Sequence, residues 1–312
     1  RMFMQSLALG VGAWLAVTGQ ISVGAIIAAS VLLSRALQPI EQLVGSWPNI
    51  MQARNALGTI RRLYESTASP DVERTSLPNP KGHLEVDRIV VKAPAGGDLI
   101  LRNVSFAIKP GEVLGVVGPS GSGKSTLARI VAGAISPDAG EVRVDSANVA
   151  DWDAELLAQH IGYLPQNMGL LPGTISENIS RFRSATATGS DKAQIDGDVI
   201  EAAKLSGAHD MILKLPKGYD TVIKTGGFEL SAGQGQRVAL ARALFGSPQV
   251  FILDEPNSAL DQDGEEALDR AVKTMVARGA AVMIVAHRTA ILNNADKLMV
   301  LAEGTVAQYG PR

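Results

Sequence analysis

The stretch Gly118-Pro119-Ser120-Gly121-Ser122-Gly123-Lys124-Ser125-Thr126 holds the densest set of chemistry-bearing residues in the chain. Its glycines let the backbone turn tightly and aim successive N–H groups at one point. The run Glu112-Val113-Leu114-Gly115-Val116-Val117 before it has strand character, and Leu127-Ala128-Arg129-Ile130-Val131 after it has helical spacing. Strand, glycine-rich turn, Lys-Ser and helix is the context in which a loop binds phosphate. The start of the helix adds partial positive charge at the same place. Lys124 can reach the β- and γ-phosphates of a nucleotide, and the Ser125 hydroxyl can hold Mg²⁺. A chance Gly/Ser-rich loop ahead of a helix is the competing reading of these residues alone.

Other residues of the right chemistry follow at spaced intervals. Ile161-Gly162-Tyr163-Leu164-Pro165-Gln166 reads as a strand ending in a glutamine. Leu230-Ser231-Ala232-Gly233-Gln234-Gly235-Gln236-Arg237 leads into an apolar helix over 238–245, with Ser231 as its N-cap. This second helix start could meet phosphate from a different direction. Val250-Phe251-Ile252-Leu253-Asp254-Glu255 is an apolar run ending in two acids. A buried parallel strand of that kind delivers its carboxylates to the edge of the sheet where ligands bind. There Asp254 suits indirect coordination of Mg²⁺, and Glu255 suits polarising a water. The bland alternative is two acids capping a loop. Ser258-Ala259-Leu260-Asp261 follows, then a helix to about residue 277. A further buried strand, Ala281 to Ala286, ends at His287, which falls on the same sheet edge.

The elements that must position these groups form a second domain over 83–312. Strands are expected at 83–91, 101–108, 112–117 and 140–145, helices at 175–182 and 199–215, and a mobile surface loop at 184–190. Lys297 to Leu301 and Thr305 to Gln308 should close the chain as a hairpin around Glu303-Gly304. Ahead of this domain, Leu7 to Leu33 is almost continuously apolar or small. Two membrane segments are expected, about 6–18 and 22–38, with a turn at Gly19-Gln20. Gly10, Gly12, Ala13, Gly24, Ala25, Ala28 and Ala29 suit close helix packing in lipid. A hairpin buried in a soluble protein is the other reading. A signal peptide fits poorly, because the apolar run is too long and lacks a charged leader. Arg35, Arg54, Arg61 and Arg62, against Glu41 and Glu65, place the far flank on the cytoplasmic side. Helical spacing continues over 34–66, with Pro39 and Pro48 expected to kink or break it. The proline-rich, aperiodic stretch 66–82 is a linker.

Bulk properties narrow the class. The net charge of −2 gives no global basic field, so nucleic acid is not an expected partner. The absence of cysteine excludes disulfides and thiolate metal sites. The chain starts at Arg1 and reads as part of a longer one.

Taken in order, these motifs resemble the nucleotide-binding domain of ATP-binding cassette (ABC) proteins across 83–312. Gly118–Thr126 matches the Walker A loop, Gln166 the Q-loop, and Leu230–Gln234 the family signature. Val250–Glu255 matches Walker B with its catalytic glutamate, Ser258–Asp261 the D-loop, and His287 the switch histidine. The resemblance implies an α/β P-loop NTPase with a mainly parallel core sheet, an antiparallel β subdomain and a helical subdomain. A pair of transmembrane helices would precede it. Residues 1–65 would then be the end of an exporter's membrane domain, holding the last two of its six helices.

The strings Ser34-Arg35-Ala36-Leu37-Gln38-Pro39-Ile40-Glu41-Gln42, Asp254-Glu255-Pro256-Asn257-Ser258 and Ala286-His287-Arg288 look like the permease/ATPase component of type I secretion systems. That branch implies a homodimer in the bacterial inner membrane with head-to-tail cytoplasmic ATPase domains. Its cargo would be a secreted protein, and its partners a periplasmic adaptor and an outer-membrane channel. ATP would lie between residues 118–126 of one subunit and Ser231, Ala232, Gly233 and Gln234 of the other. Lys124 would hold phosphate, Ser125, Gln166 and Asp254 would serve Mg²⁺, Glu255 would position the attacking water, and His287 would contact the γ-phosphate. An exporter of lipids, peptides or drugs shares all of this except the cargo. A soluble ABC ATPase acting on nucleic acid is the reading from another class.

Three positions depart from the family pattern. The segment Val90–Ile100, where an adenine-stacking aromatic is usual near Ala93, contains none. Ala232 stands where glycine is usual, and Lys224 where exporters commonly carry an acid.

Overall fold

Small and apolar residues dominate positions 7–33, and in the computed structural model the first unit folds as helices. The structure describes residues 2–67, 80–93, 96–224, 230–286 and 290–312, and the chain divides into two units, 1–73 and 74–312. Helix α1 spans Met2–Val17 and α2 spans Val23–Thr67. Between them the chain turns at Gly19, whose φ is +72°. The Thr18 hydroxyl donates back to the carbonyl of Leu15 at 3.0 Å, and Ser22 accepts from the Ala25 N–H at 3.3 Å to open α2. Gly12 lets the two helices approach, since a Cβ there would lie 3.1 Å from Ile26.

In the second helix the break expected as one alternative at the prolines does not occur. The helix runs unbroken through Pro39 and Pro48 for 45 residues. Each proline removes one backbone hydrogen bond, while those on either side persist. At 1.5 Å per residue α2 is about 68 Å long, more than twice the ~30 Å hydrocarbon core of a bilayer. By length and composition Val23–Tyr64 qualifies as a membrane-crossing helix, whereas Phe3–Val17 is shorter than a full span.

In the second unit the elements are β1 (Leu84–Lys92), β2 (Leu99–Ile108), β3 (Val113–Val117), α3 (Lys124–Val131), β4 (Ala139–Val144), β5 (Ala147–Asn148) and α4 (Ala154–His160). Then come β6 (Ile161–Leu164), β7 (Gly173–Thr174), α5 (Ile175–Ile179), α6 (Arg183–Thr186), α7 (Gly189–Leu205), α8 (His209–Leu213) and β8 (Val222–Ile223). The last are α9 (Ala232–Leu244), β9 (Val250–Asp254), α10 (Gln262–Ala277), β10 (Ala281–Val285), β11 (Lys297–Ala302) and β12 (Thr305–Pro311). The core sheet has the order β12-β11-β3-β10-β9-β6. All its pairings are parallel except that of β12 with β11, which form the expected closing hairpin. An antiparallel sheet of order β2-β1-β4-β5 lies to one side.

Alternation of side chains along buried strands explains the two-sided core. Val113, Phe251, Leu253, Val282 and Ile284 pack with residues of α5, α7, α9 and α10. Their strand neighbours Leu114, Val116, Val250, Ile252, Met283 and Val285 pack with α3 and the antiparallel sheet. The helical subdomain departs from the expected boundaries. Helix α5 stops at Ile179, because Arg181 and Phe182 adopt φ of 56° and 63°. The stretch 184–190 is largely helical, divided between the end of α6 and the start of α7, where a loop is expected. The helix expected over 199–215 begins ten residues earlier and breaks at Gly207, whose φ is +69°. Helix α2 also extends two residues into the expected linker, most of which lies outside the described residues.

Where β6 meets α9 the packing leaves no room for a side chain. A Cβ on Gly162 would overlap the carbonyl oxygen of Ala243 and lie 2.7 Å from Pro248 Cγ. Gly162→Ala therefore forces α9 away from the sheet, an overpacking cost of about 1–3 kcal/mol. A thermal melt of the purified protein should show Tm lowered by several degrees; an unchanged Tm would contradict this packing.

Candidate nucleotide-binding site

Strand order sets the site. Strands β3, β10, β9 and β6 are neighbours and parallel, so the segments after their carboxyl ends converge on one edge. Those segments are the glycine loop, the residues after Val285, the pair Asp254-Glu255, and Gln166. His287 belongs to this edge by sequence but lies outside the described residues.

In the glycine loop, a Cβ on Gly118 would overlap the carbonyl oxygen of Leu301. Gly123 caps α3 with φ +95°, and a Cβ there would lie 2.7 Å from Leu101 Cδ2. Pro119, Ser120 and Gly121 are exposed at the tip. Ser122 is buried, and its hydroxyl has no hydrogen-bond partner among the described residues. Such an orphan in a phosphate-type loop fits a site built to meet a further acceptor. Lys124 is the first residue of α3 and only 5% exposed. Its ammonium donates to the carbonyls of Gly118 at 2.9 Å and Pro119 at 2.8 Å. Burial lowers its pKa, while Glu255 and Asp254 oppose that shift. Thr126 continues the first turn of the same helix.

Ser125 and Asp254 meet directly: the hydroxyl donates to Asp254 Oδ1 at 3.2 Å. Asp254 ends a strand in which every residue is buried, and is itself 1% exposed. Burial raises its pKa. The Ser125 hydrogen bond opposes the rise, the charge of Glu255 adds to it, and Arg129 and Lys124 oppose it. Glu255 takes φ +52°, with its N–H held by the carbonyl of Val285 at 2.9 Å. Its Oε2 accepts from Gln166 Nε2 at 3.0 Å. The structure thus gathers Lys124, Ser125, Gln166, Asp254 and Glu255.

Hydroxyl, amide and carboxylate oxygens are the donors a hard cation such as Mg²⁺ prefers. Among the described residues no cluster of three His, Asp or Glu could hold a metal unaided.

The segment Ser231–Gln234 stands apart from this group. Ser231 caps α9 with a reciprocal box: its hydroxyl accepts from the Gln234 N–H at 3.3 Å, and Gln234 Oε1 accepts from the Ser231 N–H at 2.9 Å. Ser231 and Ala232 are exposed. Ser231, Gly233 and Gln234 line an open cavity of about 860 Å³ with Arg237 and Asp261, and no residue of the glycine loop lines it. Lys224 is exposed, and the residues after it, 225–229, lie outside the described ones. The N–H of Ala93 donates to the carbonyl of Asp98 at 2.8 Å.

Sequence reading missed Gln236. It is buried, and its side chain bridges α9 to the turn after Glu255 through the Pro256 carbonyl and the Ala259 N–H. The available signal was a polar residue in register with Ala239, Leu240 and Ala243 on an apolar helix face.

A glycine loop between a central parallel strand and its helix, with an acid ending a strand two places away in the same sheet, defines a P-loop nucleotide-binding domain. A profile of the ABC transporter family matches residues 101–258, and the chain belongs to that family. It is 42% identical, over its whole length, to 52% of the type I secretion system ATP-binding protein PrsD of Rhizobium meliloti (strain 1021). It is 35% identical over 97% of its length to 41% of the leukotoxin translocation ATP-binding protein LktB of Mannheimia haemolytica. The same figures hold for the cyclolysin secretion/processing ATP-binding protein CyaB of Bordetella pertussis (strain Tohama I). A solved bacterial Atm1-family ABC exporter with ATP bound superposes with a TM-score of 0.72 at 27% identity, covering 99% of this chain and 53% of that one. The chain spans about half the length of the relatives it matches.

The raised pKa of Asp254 gives a sign. The folded chain holds that proton more tightly than the unfolded chain. Stability therefore falls as pH rises from the ordinary carboxylate range through the raised value. Asp254→Asn keeps an oxygen for Ser125 and removes the buried charge. Melts of nucleotide-free protein from pH 4 to 8 should show the variant gaining on wild type as pH rises. Mg²⁺-dependent stabilisation by ATP should disappear with the same substitution.

Proposed function

We propose that this chain works in an ATP-driven exporter, as part of the permease/ATPase subunit of a type I protein secretion system in a bacterial inner membrane. The meeting of Ser125 with Asp254 and of Gln166 with Glu255 at one sheet edge carries the ATPase reading. The whole-length similarity to PrsD carries the choice of secretion. Residues 1–65 serve as the end of the membrane domain, 66–82 as the linker and 83–312 as the cytoplasmic ATPase domain.

In this reading Lys124 and the N–H groups of 118–126 hold the phosphates of ATP. Ser125 and Gln166 ligate Mg²⁺, with Asp254 behind Ser125. When bound, the ion neutralises charge on the phosphate oxygens. Glu255 orients the attacking water and accepts its proton. Its Oε2 holds Gln166, and the carboxylate keeps acceptor capacity for a water. His287 contacts the γ-phosphate. The exposed cap Ser231–Gln234, remote from the glycine loop in the cavities of its own chain, serves the nucleotide of a second, head-to-tail subunit. Closure of that dimer switches the membrane helices, and hydrolysis resets them. Periplasmic adaptor and outer-membrane channel complete the path for a protein cargo.

Two experiments test this. Glu255→Gln in the full-length protein should leave ATP binding within a fewfold of wild type and cut hydrolysis by about a hundredfold or more; hydrolysis at the wild-type rate removes Glu255 from the mechanism. Lys124→Ala in the native cell should strip one or a few proteins from the culture medium while cell lipids stay the same. An unchanged medium, with the gene expressed, would replace protein cargo by a lipid, peptide or drug.

A further inference from the structure

Gln236 makes both its side-chain hydrogen bonds to one short turn. The side chain is 4% exposed, deep on the apolar face of α9. Its Nε2 donates to the carbonyl of Pro256, and its Oε1 accepts from the N–H of Ala259 at 2.9 Å. Those two backbone groups bracket the turn that begins at Glu255, where the Ser258 N–H donates to the Glu255 carbonyl at 3.3 Å. Glu255 itself sits at φ +52°, a conformation that a non-glycine residue keeps only where its surroundings impose it.

The rest of α9's first turns grip the same segment. A Cβ on Gly233 would lie 2.9 Å from the carbonyl oxygen of Ala259. Arg237 pairs with Asp261, whose carboxylate caps α10 by accepting from the Gly264 N–H at 3.0 Å. Backbone from Pro256 to Asp261 is therefore held from one side, by Gly233, Gln236 and Arg237 in the first turns of α9.

We propose that Gln236 is a positioning residue: it locks the turn carrying Glu255 to the first turns of α9, so that the cap Ser231–Gln234 and the Glu255 carboxylate are displaced together. The proposal rests on the reading of Glu255 as the group that orients water. It adds that the carboxylate's placement depends on the state of α9. Without the clamp, the Pro256 carbonyl and Ala259 N–H lose their partners, and Glu255 is released toward an ordinary φ, away from Gln166. A shift of about 1 Å in a group that positions water costs of order a hundredfold in rate.

The test uses the full-length protein in lipid nanodiscs. Gln236→Met keeps side-chain length and apolar volume and loses both hydrogen bonds; Gln236→Asn keeps the amide but is one methylene too short to hold both backbone groups. With Gln236→Met we expect kcat for ATP to fall about tenfold or more, with KM and the Kd of a non-hydrolysable ATP analogue within about twofold of wild type. Gln236→Asn should fall between the two, and it carries the test if the methionine variant does not fold. In a Glu255→Gln background, Gln236→Met should add no further loss, because the group it positions has already gone. Equal losses in both backgrounds, a loss confined to KM, or wild-type kcat in the variants would each overturn the proposal. A wild-type protein without ATPase activity would sink the proposed function instead, so the two failures are distinguishable.

Discussion

A carboxylate at the end of a wholly buried strand is the constraint that orders this site. Asp254 cannot leave the sheet edge, because β9 is packed on both faces and paired on both sides. Its ionised form is disfavoured by burial, and the Ser125 hydroxyl, Arg129 and Lys124 offset this. Ser125 and Lys124 occupy the first turn of α3, so the hydrogen bond to Asp254 also fixes where the glycine loop ends. The tight places in that loop follow from the same packing. Gly118 lies against the backbone of β11, and Gly123 against β2. Loop, helix and strand are thus mutually determined, and none could shift without exposing the cost of the buried acid.

The residues after Asp254 obey a different rule. Glu255 leaves the sheet in a left-handed conformation, which turns the chain sharply and brings its carboxylate toward β6. Nothing in the apolar pattern of β9 requires that geometry. It comes from backbone groups outside the strand: Val285 on one side, and the turn 256–259 on the other. Burial thus places Asp254 rigidly, whereas hydrogen bonds place Glu255 conditionally.

Legibility from sequence tracks these two kinds of cause. The parallel strands were readable because burial on both faces demands uninterrupted apolar runs, and because Gln166, Asp254 and the glycine loop each punctuate the end of one. The cap of α9 was readable because Ser231 satisfies an orphan N–H group by local chemistry. The helical subdomain was not, because its breaks are imposed from a distance. Phe182 and Arg181 are not turn formers, yet they take positive φ where the Arg181 guanidinium reaches the carbonyls of Arg242 and Ala158. Helix α7 buries only Ile195, Val199, Ala202 and Ala203, so its first turn carries no apolar signal and read as a loop. In α2 the periodicity over 34–66 was readable, and of the two outcomes expected at Pro39 and Pro48, a kink or a break, the break does not occur.

Those distant contacts converge on α9. At its start Gln236 holds the turn of Glu255. One residue earlier, Gly235 makes room for Met168, since a Cβ there would lie 2.7 Å from the sulfur. Near its end Arg242 donates to the carbonyls of Met168 at 2.6 Å and Gly169 at 2.8 Å, gripping the segment that follows Gln166. Arg181 in turn binds the backbone of Arg242, at the cost of a pKa pushed down to about 10 by burial and by the like charges of Arg242 and Arg183. A cation is tolerated there because backbone carbonyls surround its guanidinium. The two side chains that meet across the sheet edge, Gln166 and Glu255, are therefore supported from behind by opposite ends of one helix. A rotation of α9 would act on both, whereas Asp254, anchored in the sheet, would stay where it is.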